Sequence, residues 1–467
     1  MGSRRNPAAA QVVTYPAPAE ELARSDYAVT VNGRPVDVYL AKTQHHDKRY
    51  FFASFDFAGE IEVEVTSPVS LADAVVRPAS SGVTLRAKSA GSLTFSAARP
   101  FKVSVERDGE NSPLLLFGNP LETDVPRADD PGVVYFGPGI HAPGKIELTS
   151  NQTLYVAGGA VVKGGVEAHG ENITVRGRGI IDGSDYAHGG GPIRFMLTFE
   201  KCRNLLLKDV TVRGSWLFTI APCGCDHVVI DNVKICGSRV GNDDGIDIIN
   251  SADVLVNDCF LRTDDDCIAV KGLGGYDGKA CERIRVTHCS FWTDRANIFR
   301  IGYESDTAAM RDIVAEDIDV LHCVSDERPP ETFWSNWVFY LQPSNNMPMA
   351  GLRFEDFRIN APGQNNLAKV QPMVCKGWQD TAGGHFASWD YKEPGQCVRD
   401  CVFRNLRLSG NATGHPGRVF VSGVDAQHPV ADVTFENVTR FGEPLMADSA
   451  DVIIGPHASG VRFRGED

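Results

Sequence analysis

Leu205-Leu206-Leu207-Lys208-Asp209-Val210, Val228-Val229-Ile230-Asp231-Asn232-Val233 and Val254-Leu255-Val256-Asn257-Asp258-Cys259 share one pattern: three apolar residues, a polar one, Asn or Asp, and an apolar residue. Looser copies follow, ending at His288-Cys289, Asp317-Ile318, Asp356-Phe357, Asn405-Leu406 and Asn437-Val438. Successive copies from Val210 to Ile318 are 23, 26, 30 and 29 residues apart, and the next two intervals lengthen to 39 and 49. Recurrence in this range marks a solenoid, whose rungs bury their apolar faces only against one another. Each rung reads strand, polar turn, strand, loop, with no helical periodicity. That predicts a parallel β-helix; a β-propeller needs repeats of about 40 residues. The Val, Val, Cys, Cys, Ile, Phe, Leu, Val column suits an interior stack. The Asn/Asp beside it suits a tight turn in left-handed backbone. The long insertions, 326–346 and 376–396, are expected as loops on one face.

Upstream of this ladder the pattern changes. From about residue 25 to 120 short alternating strands dominate, as in Ile61-Glu-Val-Glu-Val65 and Phe101-Lys-Val-Ser-Val105, which is the signature of a β-sandwich. The expected chain is all-β: an N-terminal sandwich over 1–125, then a right-handed parallel β-helix over 126–467, joined through the Pro- and acid-rich Leu121–Pro131.

Composition narrows the partners. A formal charge of -14 argues against a nucleic-acid backbone, which calls for a basic patch. No apolar run approaches the roughly 18–20 residues of a membrane span, so no membrane partner is expected. No apolar segment follows Met1-Gly-Ser-Arg-Arg5, so the protein is read as cytoplasmic, or as secreted after loss of a leader. The 12 cysteines lack zinc spacing and sit mostly in apolar strands, as buried free thiols would. Gly189-Gly-Gly-Pro192 and Gly272-Leu-Gly-Gly275 lack nucleotide-loop context, and neither a cofactor nor a metal is expected. The oligomeric state is left open.

Acid density singles out two consecutive rungs, Asn242-Asp243-Asp244-Gly-Ile-Asp247 and Asp264-Asp265-Asp266-Cys-Ile-Ala-Val-Lys271. Asp244 and Asp265 are 21 residues apart, one short rung, so the two are expected to stack about 5 Å apart. Stacked like charges are unfavourable, and a structural ladder would use Asn. Glycosidic hydrolysis needs one carboxylic acid to protonate the leaving oxygen and a carboxylate to activate water. Crowded carboxylates raise one pKa so that a proton stays available. A calcium site or a solvated turn is the alternative use of such a cluster.

The motif pair Asn242-Asp243-Asp244 and Asp265-Asp266-Cys267 resembles the polygalacturonase-type glycoside hydrolases, family 28, over about residues 133–325. The sandwich-then-helix order, with Val134-Tyr-Phe-Gly-Pro-Gly-Ile-His and Leu154-Tyr-Val-Ala-Gly-Gly, resembles the dextranase and isopullulanase type, family 49. The resemblance implies Asp265 as general acid, Asp244 and Asp266 as the pair that deprotonates water, Asn242 in support, and inversion at the anomeric carbon. The Gly-His-Gly of family 28 is absent, His288-Cys-Ser-Phe-Trp292-Thr-Asp294-Arg-Ala-Asn-Ile-Phe-Arg300-Ile-Gly-Tyr-Glu304 standing in that region. Its Arg-Ile-Lys clamp for a uronate is absent as well, with Arg300-Ile-Gly a partial echo. The expected substrate is therefore a carbohydrate of neutral, α-glucan-like or plant or microbial type.

Lys271, Arg300 and Glu304 follow the acid-bearing strands and are expected to contact substrate; Lys271 and Arg300 are equally suited to hold carboxylates ionised. Trp292, Trp337 with Trp334 in a long insertion, and Trp378 and Trp389 in the next follow the acidic rungs and are expected either to offer faces for pyranose rings or to serve as core. His322 is a further candidate for the cleft, and His288 a turn residue. The rival activities are a polysaccharide lyase with Lys271 or Arg300 as base, a glycosyl-transferring or cyclising enzyme on the same scaffold, and a non-catalytic binding solenoid.

Overall fold

The computed structural model describes residues 10–23, 26–43, 49–109, 111–323, 335–360, 366–374, 393–409 and 417–465. Among these, helix is confined to two 3-10 turns, Ala19–Glu21 and Ala79–Ser81. No helix among them is long and apolar enough to cross a membrane.

From Val133 to Arg464 the chain winds into one 28-stranded assembly in which each strand pairs in parallel with its counterpart a rung away, a short antiparallel pair near the C-terminus excepted. This is the right-handed parallel β-helix. The pattern that revealed it also explains why it forms. The column Val210, Val233, Cys259, Cys289, Ile318, Phe357, Leu406, Val438 is buried throughout. Every residue beside it, from Asp209 and Asn232 through His288 to Asn405 and Asn437, has φ between 51° and 71°, the left-handed region that Asn and Asp tolerate best. Their side chains bond along the axis: Asn232 donates to Asp209 at 2.7 Å, Asn405 to Asp356 at 2.8 Å and Asn437 to Asn405 at 2.7 Å. Toward the C-terminus Phe354, Phe403, Phe435 and Phe463 stack at centroid spacings of 4.8–5.2 Å. The eleven described cysteines are free thiols.

Residues Gln11–Pro120 form a six-stranded and a five-stranded sheet that share one core, with Val29, Val63 and Phe95 from one and Phe55, Val103 and Leu116 from the other. The outer face of the first sheet is apolar too. Tyr39, Tyr50, Phe52, Leu115 and Phe117 pack on Cys236, Phe260, Trp292 and Leu321 of the helix. Each such side chain contributes about 1.5–3 kcal/mol on full burial. Buried ion pairs fix the register of the two parts: Arg178 meets Asp56 and Asp209, both at 2.8 Å, and Arg213 meets Glu21 and Asp182.

Two expectations are corrected here. Trp292 is wholly buried, and His322 bonds Glu106 of the sandwich at 3.0 Å with its ring 4.0 Å from that of Trp292. Both belong to the junction between the two parts, not to a cleft. The insertion tryptophans Trp334, Trp378 and Trp389, with most of the two insertions, lie outside the described residues.

Candidate active site

Three successive corners of the helix build the site. The first runs from strand Lys234–Cys236 to Ile246–Ile249, the second from Phe260–Thr263 to Ile268–Gly272, and the third from Ser290–Thr293 to Phe299–Ser305. Asp264, Asp265 and Asp266 lie in the second corner, outside both strands. Neighbouring side chains there escape the strict up-down alternation of a strand, so Asp265 and Asp266 reach one cleft. The bend is pinned from both sides. The hydroxyls of Thr263 and Thr293 donate to the Asp265 carbonyl at 2.6 and 2.8 Å. The buried Asp243 carboxylate accepts the N–H of Asp264 at 2.7 Å and of Arg239 at 2.7 Å.

The register corrects the expected stacking. Ile246 pairs with Ile268, and the Gly245 N–H donates to the Asp266 carbonyl at 2.8 Å. The repeat here is therefore 22 residues and sets Asp244 level with Asp266, while Asp243 is level with Asp265. The same column continues to Asn297 and Trp337, since Ile268 pairs with Phe299 and Phe299 with Phe339.

Asp244, Asp265 and Asp266 each bring a carboxylate oxygen within 4.8 Å of the other two. Asp265 is the most open, its side chain 18% exposed, against 2% for Asp244 and 7% for Asp266. Burial and the neighbouring Asp266 charge push the Asp265 carboxyl up to about 6, against the pull of Arg295, whose guanidinium lies 2.8 Å from its Oδ2 and also binds Asp264. One Asp266 oxygen accepts both the backbone N–H of Asn297 at 2.9 Å and its side-chain amide at 2.7 Å. Asn297 in turn accepts the N–H of Trp337 at 2.8 Å. The three oxygens are near enough to share a cation, but a fixed charge is already present: the Lys271 ammonium lies 2.7 Å from Asp244 and 2.8 Å from Asp247.

The other expected substrate contacts fall less simply. Asn242 is half-buried in the corner beside Asp243 and Asp244. Lys271 is 4% exposed, tied to the two carboxylates and 3.7 Å from the centre of the Phe218 ring, which leaves its ammonium no room for a sugar. Arg300 is enclosed between the Tyr340 and Tyr303 rings at 3.9 and 4.9 Å and donates to Gln342 at 2.6 Å, so it stiffens the wall. Glu304 follows a bulge at which Tyr303 holds φ 66°, costly for a bulky residue. Its Oε2 is enclosed without a hydrogen-bond donor, and it faces Lys271 and Asp247. Trp337 is fully buried against Tyr340 and Phe420, with its indole N–H on Ser335. It is a core residue, and the stacking role expected for it is not available.

Sequence reasoning passed over Asp243, Asp247, Arg295 and Asn297. Asn297 had a legible signal, since it stands where Gly-His-Gly was sought. The irregular spacing of 31 residues from Asp266 hid that the two share a column.

Comparison with known proteins agrees with this fold. Residues 147–295 match the model of glycosyl hydrolases family 28. A probable polygalacturonase of Arabidopsis thaliana is 34% identical over 103 residues, 21% of this chain and 23% of that one. An exopolygalacturonase of Oenothera organensis is 30% identical over 110 residues, 21% and 30% of the two chains. The match thus spans less than a third of these relatives' length. In structure the chain is similar to Dex49A from Penicillium minioluteum, with TM-score 0.57, 15% identity and coverage of 94% and 96%. It is also similar to the Yersinia enterocolitica family 28 exopolygalacturonase, with TM-score 0.50, 16% identity and coverage of 98% and 97%. The fold is the right-handed parallel β-helix that these structures share. The part of the chain that is similar to family 28, residues 147–295, includes Asp244, Asp265 and Asp266.

Proposed function

We propose that the protein hydrolyses glycosidic bonds of a neutral poly- or oligosaccharide with inversion, using Asp265 as acid and Asp244 with Asp266 as base. The observation that carries this is the convergence of three carboxylate oxygens within 4.8 Å from two adjacent corners, with the most open of the three residues poised near pH 6. Asp265 protonates the glycosidic oxygen as the bond to the anomeric carbon breaks and its electron pair leaves with that oxygen. A water held by Asp244 and Asp266 adds to the anomeric carbon and gives its proton to that pair. Solvent then takes that proton from the pair and returns one to Asp265.

The cluster is tighter than the 6.5–9.5 Å expected between an acid and a base on opposite faces of a sugar, and nearer the roughly 5–5.5 Å of retaining enzymes. A retaining nucleophile, however, must reach the anomeric carbon itself. Asp244 has one oxygen bound to Lys271 and is 2% exposed, and Asp266 has one oxygen occupied by two N–H groups of Asn297. Both are better placed to orient water than to attack.

Charge favours a neutral substrate. Asp243, Asp244, Asp247, Asp264, Asp265, Asp266 and Glu304 surround the site, and Lys271, Arg295 and Arg300 are each engaged with residues of the chain. A uronate carboxylate would have to compete for cations that residues of the chain already hold. A lyase needs a neutral base, whereas Asp244, Asp247 and Glu304 outweigh burial and hold the Lys271 ammonium well above the usual lysine range. The test is reducing-end release from a panel of neutral and uronate polysaccharides by wild type and Asp265→Asn. Turnover of a neutral glycan that the variant loses supports the proposal. Efficient use of polygalacturonate, or an unsaturated product, contradicts it.

A further inference from the structure

Behind the three aspartates lies a fourth carboxylate that the scheme above leaves without a task. Asp247 is fully buried on the strand that leaves the first corner, and Lys271 lies on the strand paired with it. The Lys271 ammonium touches Asp244 Oδ2 at 2.7 Å and Asp247 Oδ1 at 2.8 Å. It donates a well-formed hydrogen bond to Asp244, while the Asp247 oxygens receive none of good geometry. Phe218 covers the ammonium at 3.7 Å, in the range of a desolvated cation–π contact, and stacks on Phe195 behind it. The lysine cannot swing away to solvent.

From this geometry, and resting on the assignment of Asp244 to the base, we infer that Lys271 and Asp247 are positioning residues that set the charge of Asp244: the ammonium holds Asp244 ionised and aimed at the water, and Asp247 competes for that same ammonium. One buried cation neutralises one carboxylate, so the pair of carboxyls retains a proton until the pH rises. Burial comes first in raising both, Asp247 to about 7 and Asp244 well above its ordinary value; the Asp247 charge adds to it at Asp244, Glu304 and Asp266 add to it at Asp247, and Lys271 opposes in each case. The groups facing this set are Asp265 and Asp266 on the side of Asp244, and Glu304, Asp266 and the Cys223 thiol on the side of Asp247. Asp247 meets the ammonium without a well-formed hydrogen bond, and in this inference it is the member that carries the proton while Asp244 works.

Two substitutions then act in opposite directions. Asp247→Asn removes the competitor at nearly constant volume. The acidic limb of the kcat profile, where the base must be ionised, should move to lower pH by about half a unit or more. Lys271→Met removes the cation. The same limb should move to higher pH by about one unit or more, with kcat at pH 6 down about tenfold or more and KM little changed. Lys271→Arg should recover part of the loss. Unmoved limbs in both variants, or a shift of the same sign in both, would overturn the inference. Infrared titration of protonated carboxyl groups supplies a readout independent of turnover and of Lys271→Met folding. Asp247→Asn should remove one protonated carboxyl titrating near neutrality, and an unchanged spectrum would overturn the pair even if no glycan is ever cleaved. Absence of turnover by wild type beside the expected spectral change would instead reject the hydrolase reading alone.

Discussion

Asp266 lies one rung above Asp244 in the same corner column, with the Gly245 N–H bonded to the Asp266 carbonyl at 2.8 Å between them. Stacking sets these two residues in one column, and Asp265, a residue earlier in the same bend, is the most exposed of the three while its carboxylate stays within 4.8 Å of theirs. In the proposed scheme this register divides the labour among three adjacent acids: a stacked pair for water, an offset acid for the leaving group.

Replacing Asp265 by Asn removes a proton donor and little volume. Turnover of an unactivated glycoside should fall by about 10²–10⁴-fold while substrate affinity, measured by calorimetry, stays within a few-fold. An aryl glycoside with a good leaving group should recover much of the rate, because its departure needs no proton. Equal losses on both substrates would assign the acid elsewhere.

The alkaline limb of the kcat/KM profile should fall near pH 6. Asp265 must be protonated to act, and its carboxyl, raised to about 6 by burial and by Asp266, loses that proton as the pH rises through this value. Arg295 opposes the rise from 2.8 Å. Arg295→Gln should therefore move this limb to higher pH, and a shift to lower pH would exclude Asp265 as its source.

Chelation should leave activity intact. Lys271 supplies the buried positive charge beside Asp244, so dialysis against a chelator is expected to change neither the reducing-end assay nor the melting temperature. Loss restored by calcium would assign the acid cluster to a metal.

The N-terminal sandwich should stabilise the first corner. Tyr50 donates to the Gly237 carbonyl at 2.6 Å, and Arg262 is sandwiched between the Tyr50 and Trp292 rings while paired to Asp294 at 3.0 Å. Arg262 and Asp294 have no side-chain exposure, so Arg262→Ala strands a buried carboxylate and should cost about 3–5 kcal/mol. Denaturant unfolding measures this, and a cost below about 1 kcal/mol would show that the junction contributes little.

Much of this was legible in the chain itself because it rests on short-range physics. The Asn/Asp column announces left-handed turns, which Asp209 through Asn437 all adopt, and the apolar column beside it announces the core. The candidate acids were legible by type and spacing. Their register was not, because corners differ in length: Asp244 to Asp266 is 22 residues, Asp266 to Asn297 is 31 and Asn297 to Trp337 is 40. A one-residue ambiguity in the first interval made Asp265 look like the partner of Asp244. The sites of Trp337 and Lys271 were illegible for a different reason. Both are long side chains whose direction is decided by neighbours distant in sequence, Phe420 for the one and Phe218 with Asp244 for the other.

The configuration of the first-formed product tests the three-aspartate scheme most directly. Proton NMR of a fresh digest resolves the anomeric signal before mutarotation. Delivery of water by Asp244 and Asp266 predicts initial accumulation of the anomer opposite in configuration to the bond cleaved. Initial accumulation of the retained anomer would contradict the account, because it requires one of these carboxylates to bond to the sugar.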